Sequence, residues 1–73
     1  MTAPAVKFIY DKPNKEFVAR ASNSSSVVFW YNRQERSWVV QARDANGHEI
    51  GDADYVYTRG EAEKLAIELF KLL

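Results

Sequence analysis

The sequence contains no cysteine and only one histidine among its 73 residues. It therefore cannot form a disulfide or a thiolate metal site, and a lone histidine cannot build a familiar zinc site. Glycine and proline are scarce, at three and two residues, and no glycine-rich phosphate-binding loop is present. No apolar run approaches the roughly 20 residues of a membrane-spanning helix, and the first residues lack the apolar core of a signal peptide. We expect one cytoplasmic domain over residues 1–73, with residues 1–5 flexible.

Apolar and aromatic residues are well represented, at 47% and 14% of the chain, which favours a folded core over disorder. The net charge is zero, but residues 1–43 hold seven basic and three acidic side chains, whereas residues 44–73 hold three and seven. Two solvated halves would explain this distribution, and so would a basic and an acidic side that orient the domain on a charged partner. A binder of duplex DNA usually carries a net basic excess, which this chain lacks.

Several stretches alternate between side chains for two faces at the period of a β-strand. They cover residues 6–11, 16–21, 26–32 and 37–43, and a short strand or extended segment is predicted over 54–58. Pro13 and Asn14 mark a turn between the first two stretches, and Asn46-Gly47 is a favoured hairpin dipeptide. We predict a small antiparallel sheet of three to five strands.

Residues 58–73 predict a C-terminal helix. Thr58 and Glu61 have the spacing of a capping box. The residues that follow form one apolar face at helical spacing: Ala62, Leu65, Ala66, Leu69 and Leu73. Ile67 falls toward the polar side, where we expect it to be exposed. Such a helix covers one face of a small sheet, so the predicted fold class is α+β, with an antiparallel β-sheet and one helix packed on one face.

Three consecutive aromatic residues, Phe29, Trp30 and Tyr31, lie in the stretch 26–32. Because side chains alternate along a strand, the three cannot all face one core. We expect the sheet face without the helix to look toward solvent and to expose either Trp30 or the Phe29 and Tyr31 pair. Such a patch favours a contact surface for another molecule. Self-association, or cover by loops and long Arg or Lys side chains, are the alternatives.

The predicted partner-binding residues combine aromatic and arginine side chains, which are enriched at binding hot spots. They are Phe8, Tyr10, Arg20, Trp30, Arg33 and Arg36. The stretch 1–43 supplies all six, because it holds the basic excess and most of the aromatic residues.

No arrangement of residues points to catalysis. His48 lies beside the Asn46-Gly47 turn, and no nucleophile motif surrounds the serines. Asp44, Asn46 and Glu49 offer oxygen ligands but lack the spacing of a calcium loop, so an acidic hairpin turn is the simpler interpretation. We predict a non-enzymatic protein with no cofactor and no metal site.

The order of features from Trp38 to Ala66 resembles two kinds of small DNA-binding domain, the plant AP2 domain and the arm-binding domain of tyrosine recombinases. The shared features are a strand tryptophan, a glycine turn, an aliphatic-glycine step, an aromatic strand and Thr-x-x-Glu-Ala at the start of a helix. The resemblance implies a sheet face that enters the major groove of DNA. This segment is acidic here, since it carries Asp44, Glu49, Asp52 and Asp54.

In length, lack of cysteine and predicted architecture, the whole chain resembles the small regulators of bacterial RNA polymerase that lytic phages encode. The resemblance implies a phage-encoded protein that binds the host polymerase, blocks promoter initiation and lets the polymerase read through terminators. We expect a protein partner, with bacterial RNA polymerase favoured, nucleic acid less favoured and no membrane. We expect a monomer or weak dimer. A DNA-binding sheet face and a self-associating accessory protein are the alternatives.

Overall fold

A computed structural model describes residues 6–73 of the chain as five strands and one helix. They are β1 (Ile9–Asp11), β2 (Glu16–Arg20), β3 (Ser26–Asn32), β4 (Ser37–Arg43), β5 (Glu49–Val56) and α1 (Arg59–Lys71). The strands form one antiparallel sheet in the order β1-β2-β3-β4-β5, and α1 packs on β3, β4 and β5. The predicted α+β fold, with one C-terminal helix on one face of a small antiparallel sheet, is confirmed. The expected flexibility of residues 1–5 lies outside the described residues.

Helix α1 begins as its sequence predicts. The Thr58 side chain accepts a hydrogen bond from the Glu61 backbone N–H at 3.1 Å, and its hydroxyl donates to Glu61 Oε1 at 3.0 Å. Ala62 and Ala66 are fully buried, and their small side chains let the helix approach the sheet closely. The expectation for Ile67 was wrong, because this side chain is half-buried rather than exposed.

The core lies between α1 and the sheet, and the Phe29 ring is at its centre. This ring is 5.1 Å from Phe8, 4.9 Å from Phe17 and 6.0 Å from Trp38, measured between ring centroids. Phe17 and Phe29 stack with an interplanar angle of 13°. The other fully buried members of this core are Val27, Val40, Ala62 and Ala66. Aromatic packing therefore joins β2, β3, β4 and the residue before β1 into one cluster.

The bounds of three strands differ from the prediction, and the smallest difference is in β2, which ends at Arg20 rather than residue 21. Strand β1 starts at Ile9 rather than residue 6, and the preceding Phe8 packs its ring against Phe29. Strand β5 spans Glu49–Val56 rather than 54–58, because β4 pairs with it as far as Arg43 and Glu49.

The early start of β5 depends on a bulge opposite Gln41. Three residues of β5, 51–53, lie between the paired positions Asp54 and Ile50, where β4 has Gln41 alone. Gly51 has a φ of 69°, a left-handed conformation that glycine adopts without strain. Gln41 is 1% exposed, and its Nε2 donates to the carbonyl oxygens of Ala42 (2.9 Å), Ile50 (3.2 Å) and Gly51 (3.3 Å). The buried amide thus supplies donors where the regular ladder is interrupted.

The sheet face without the helix carries Trp30, as one of the two predicted arrangements required. The centre of this face is nevertheless not an exposed apolar patch, since Val28 and Val39 are each only 1% exposed. In the register of the sheet, Val39 lies between the larger side chains of Trp30 and Tyr55. The Arg43 guanidinium lies 6.0 Å from the Trp30 ring centroid, so a long cationic side chain covers part of the aromatic surface. The expectation of an open, solvent-exposed aromatic face was therefore wrong for the centre of the sheet.

Candidate partner-binding site

An aromatic concavity lies on the other face of the sheet, beside the area that α1 covers. Four aromatic and two cationic side chains line a concavity of about 250 Å³, and they are Tyr10, Lys15, Phe17, Tyr31, Arg33 and Trp38. We call this concavity the aromatic cradle. Its members come from β1, β2, β3, β4 and the two turns at one end of the sheet.

Cross-strand pairing builds the aromatic cradle. Tyr10 pairs with Phe17 across β1 and β2, and their ring centroids are 4.9 Å apart. Tyr31 pairs with Trp38 across β3 and β4, at 5.4 Å. The buried Phe29 ring contacts Phe17 on one side and Trp38 on the other, so it connects the two pairs. Cross-strand aromatic pairs hold each other in place, so the cradle is a preformed surface.

The two tyrosines of the aromatic cradle remain accessible to solvent. Tyr10 is 49% exposed and Tyr31 is 45% exposed, although both stand on the face where the helix packs. Helix α1 makes its main contacts with β3, β4 and β5, and β1 is not among them. Its first residue, Arg59, places its guanidinium 4.6 Å from the Phe17 ring centroid, a cation–π distance. The helix therefore borders the cradle without covering it.

The charged lining of the aromatic cradle is entirely cationic. Lys15 and Arg33 line it, and no carboxylate of the described part of the chain does. Within residues 6–73, neither side chain forms an ion pair with a carboxylate. The cradle therefore combines apolar rings with cations that are free to pair with an incoming anion.

Local turn chemistry positions both cations. Lys15 closes the β1–β2 turn with a φ of 54°, and its backbone N–H donates to the Lys12 carbonyl at 3.3 Å. Arg33 opens the β3–β4 turn, in which Asn32 Oδ1 accepts from the backbone N–H of Gln34 at 3.1 Å. An asparagine that bonds to the backbone two residues later is a typical turn former. The two turns lie at the same end of the sheet because β1 and β3 run in the same direction.

A wider groove, of about 630 Å³, lies over β1 and β2 on the sheet face without the helix. Ile9 and Val18 give it an apolar floor, and its charged lining is Lys7, Asp11, Lys12 and Arg20. Ile9 is 74% exposed. Tyr10 lines both this groove and the aromatic cradle, so the two concavities adjoin.

The structure does not bring the six predicted partner-binding residues onto one surface. Tyr10 and Arg33 meet in the aromatic cradle, and Phe8 packs into the core beside it. Arg36 is exposed in the same turn as Arg33 but does not line the cradle. Arg20 and Trp30 belong to the opposite face.

Sequence reasoning missed four members of the cradle: Lys15, Phe17, Tyr31 and Trp38. The sequence did contain a signal for the Tyr31–Trp38 pair. A four-residue turn over 33–36 pairs Asn32 with Ser37, and this register necessarily places Tyr31 opposite Trp38.

The opposite face holds a third concavity, of about 370 Å³, with mixed charge. Arg20 and Arg43 line it together with the carboxylates of Asp11, Glu16 and Asp44. Arg43 already pairs with Glu16, at 3.2 Å between Nη1 and Oε1. Opposite charges in one concavity do not select an anionic ligand, so this face is a weaker candidate site.

Residues 6–73 contain no cluster of three or more His, Asp or Glu side chains that could hold a metal ion. In the same part of the chain, no helix has the length and apolar character needed to cross a membrane.

The chain matches no protein-family model, and no curated protein or solved structure matches it significantly. The ligand of the aromatic cradle is therefore inferred from the residues, shape and charge of the cradle itself.

Proposed function

We propose that the protein is a non-enzymatic binding domain that holds a protein partner in the aromatic cradle. The observation that carries this proposal is the half-exposure of Tyr10 and Tyr31 on a rigid aromatic base. Contiguous exposed aromatic surface marks interaction sites, and a few such anchors carry most of the energy of an interface. The cradle, at about 250 Å³, is smaller than the roughly 300–1,000 Å³ of most small-molecule sites. It suits one anchor side chain of a larger partner.

Bacterial RNA polymerase is the partner that we propose, and the bacterial cytoplasm is the proposed location. The support is the resemblance of the chain, in length and architecture, to phage regulators of this enzyme. A domain of this size acts by occupying a surface that another factor needs. The expected consequences are inhibition of promoter initiation and readthrough of terminators.

Binding to purified bacterial RNA polymerase, measured by biolayer interferometry, tests the proposal. We expect the wild-type protein to bind, and Tyr31→Ala to weaken binding at least about tenfold, as for a central anchor. Tyr57→Ala is the matched control, because Tyr57 is 82% exposed and lies outside the aromatic cradle. Failure of the wild type to bind polymerases from several bacteria would reject the partner. Equal losses in the two variants would reject the cradle as the site.

A DNA-binding role for the sheet face has less support. That face presents the carboxylates of Asp11, Glu16 and Asp44 beside its arginines, and phosphates would have to approach them. Salt dependence separates the two functions. A DNA binder loses affinity steeply and linearly with the logarithm of salt concentration, whereas an interface anchored by aromatic residues loses much less.

A further inference from the structure

We infer that the aromatic cradle binds an acidic segment of the partner, which inserts one aromatic side chain between the cradle rings. The inference rests on the proposed function and adds to it the chemistry of the ligand. Both parts follow from the lining of the cradle, in which four aromatic rings stand beside Lys15 and Arg33.

The preference for acidic residues follows from the unpaired cations. Lys15 and Arg33 have no carboxylate partner within residues 6–73, and Glu35, in the same turn as Arg33, does not line the cradle. Arg59 adds a third positive charge at the border, beside Phe17. Carboxylates next to the anchor residue would pair with these groups, whereas a basic segment would meet like charges.

The aromatic anchor follows from the shape and composition of the cradle. The Tyr10–Phe17 and Tyr31–Trp38 pairs are tilted by 54° and 58°, so they present both ring edges and ring faces to a ligand. An aromatic side chain can make edge-to-face contacts with such rings, which add to the gain from burying its apolar area. A volume of about 250 Å³ has room for one such side chain and little more.

The wider groove lies around the edge strand β1 from the cradle, on the sheet face without the helix, and Tyr10 lines both. Its cations, Lys7, Lys12 and Arg20, outnumber the single carboxylate of Asp11. An acidic segment that passes from the anchor position around the edge of β1 would therefore meet further positive charge.

A polynucleotide fits these observations less well than an acidic peptide. The domain has no net charge, and α1 carries Glu61, Glu63 and Glu68, all exposed. Binding of a phosphate backbone draws its affinity from many cationic contacts. Among residues 6–73, the cradle has two lining cations, with Arg59 at its border.

Titration of the full-length ¹⁵N-labelled protein with synthetic peptides, followed by NMR, tests the inference even when binding is weak. The probe is a peptide of one tryptophan flanked by aspartates. Three comparison probes are used. In one peptide lysines replace the aspartates, in another alanine replaces the tryptophan, and the third probe is a short oligothymidylate. We expect the acidic tryptophan peptide to shift the indole signal of Trp38 and to leave that of Trp30, on the opposite face, unchanged. A shift confined to Trp30, no shift with this peptide, or tighter binding of the lysine peptide or the oligothymidylate would overturn the inference.

Two arginines of one turn supply the matched variants. Arg33→Gln removes a cation that lines the cradle, and we expect a severalfold loss of affinity for the acidic peptide. Arg36→Gln removes an exposed cation outside the cradle, and we expect no change. Equal losses of affinity in the two variants would mean that net charge alone causes the effect, and this would overturn the inference. Both residues are exposed, so we expect thermal melts to show that both variants fold. Lys15→Gln is a second, independent variant of the cradle.

The same proteins measured against RNA polymerase keep this inference separate from the proposed function. Peptide binding without polymerase binding supports the acidic ligand and rejects the polymerase as partner. If the wild type does not bind the peptide, and Arg33→Gln binds the polymerase as well as the wild type does, the acidic ligand is rejected. The proposal that the polymerase is the partner then still stands.

Discussion

Replacement of Gln41 by leucine tests how the β5 bulge is held. Leucine is similar in size and suits a buried strand position. Among residues 6–73, however, the Gln41 amide is the only side-chain donor to the carbonyls of Ala42, Ile50 and Gly51, and leucine removes it. The amide has two hydrogens for three acceptors. The 2.9 Å contact to Ala42 has the most common length of such a bond, and the contacts to Ile50 and Gly51, at 3.2 and 3.3 Å, are longer and weaker.

The expected magnitude follows from these contacts. Each net hydrogen bond contributes about 1 kcal/mol, and a buried acceptor left unpaired costs about 1–3 kcal/mol. Gln41 Oε1 has no partner within residues 6–73, so leucine also removes one unpaired polar atom and recovers part of the loss. We therefore expect the free energy of unfolding to fall by about 1–2 kcal/mol. For a domain of this size, the melting temperature should fall by about 5–15 °C.

Thermal and urea denaturation, followed by circular dichroism, measure this change. The matched control is Gln34→Leu, because Gln34 is an exposed turn residue whose side chain makes no hydrogen bond within the described residues. We expect the control to alter stability by less than about 0.5 kcal/mol. Wild-type stability in Gln41→Leu would show that the bulge does not depend on the amide.

Three further predictions concern single positions. Gly51→Ala should lower stability by about 1 kcal/mol, because alanine is strained at a φ of 69°. Gly60→Ala, in the helix, should raise stability by about 0.5–1 kcal/mol, because alanine restricts the unfolded chain. An added Cβ meets no atom within 4 Å at either site, so thermal melts of the two variants compare the backbone effects alone. Thr58→Ala should cost about 1 kcal/mol through loss of the helix cap and Thr58→Ser much less, as judged by urea denaturation. Trp30→Ala should cost about 2 kcal/mol, roughly half the loss for a fully buried tryptophan. The affinity of the Trp30→Ala variant for the polymerase should stay unchanged. A loss of affinity in the folded variant would indicate that the partner binds the sheet face that carries Trp30.

Local patterns explain why the helix and most of the sheet could be predicted. The Thr58–Glu61 cap and the apolar spacing of α1 are contained within one stretch of sequence, and the strands show their alternation individually. The start of β5 could not be found in this way, because it depends on an amide from another strand that bonds across the bulge. The burial of Val39 is also non-local, since it depends on flanking residues from β3 and β5.

The same distinction applies to the candidate site. Tyr10 and Arg33 were predicted from residue type alone, but residue type also selected Trp30 and Arg20, which the fold places on the opposite face. Only the register of the hairpins distinguishes the two groups. The exposed surface was expected where the helix is absent, whereas the aromatic cradle lies on the helix side, next to the region that the helix covers.

The position of the aromatic cradle follows from the sizes of the helix and the sheet. Five strands spaced about 4.8 Å apart span roughly 19 Å between the outer strand axes, whereas one helix is only about 10 Å wide. A single helix therefore covers the strands nearest to it, and here these are β3, β4 and β5. Tyr10 on β1 and Tyr31 on β3 remain half-exposed at the margin of the core, and no second helix within residues 6–73 covers them. A partner that binds there would bury this surface, which is why the uncovered end of an otherwise well-packed sheet is the place to look for the function of this domain.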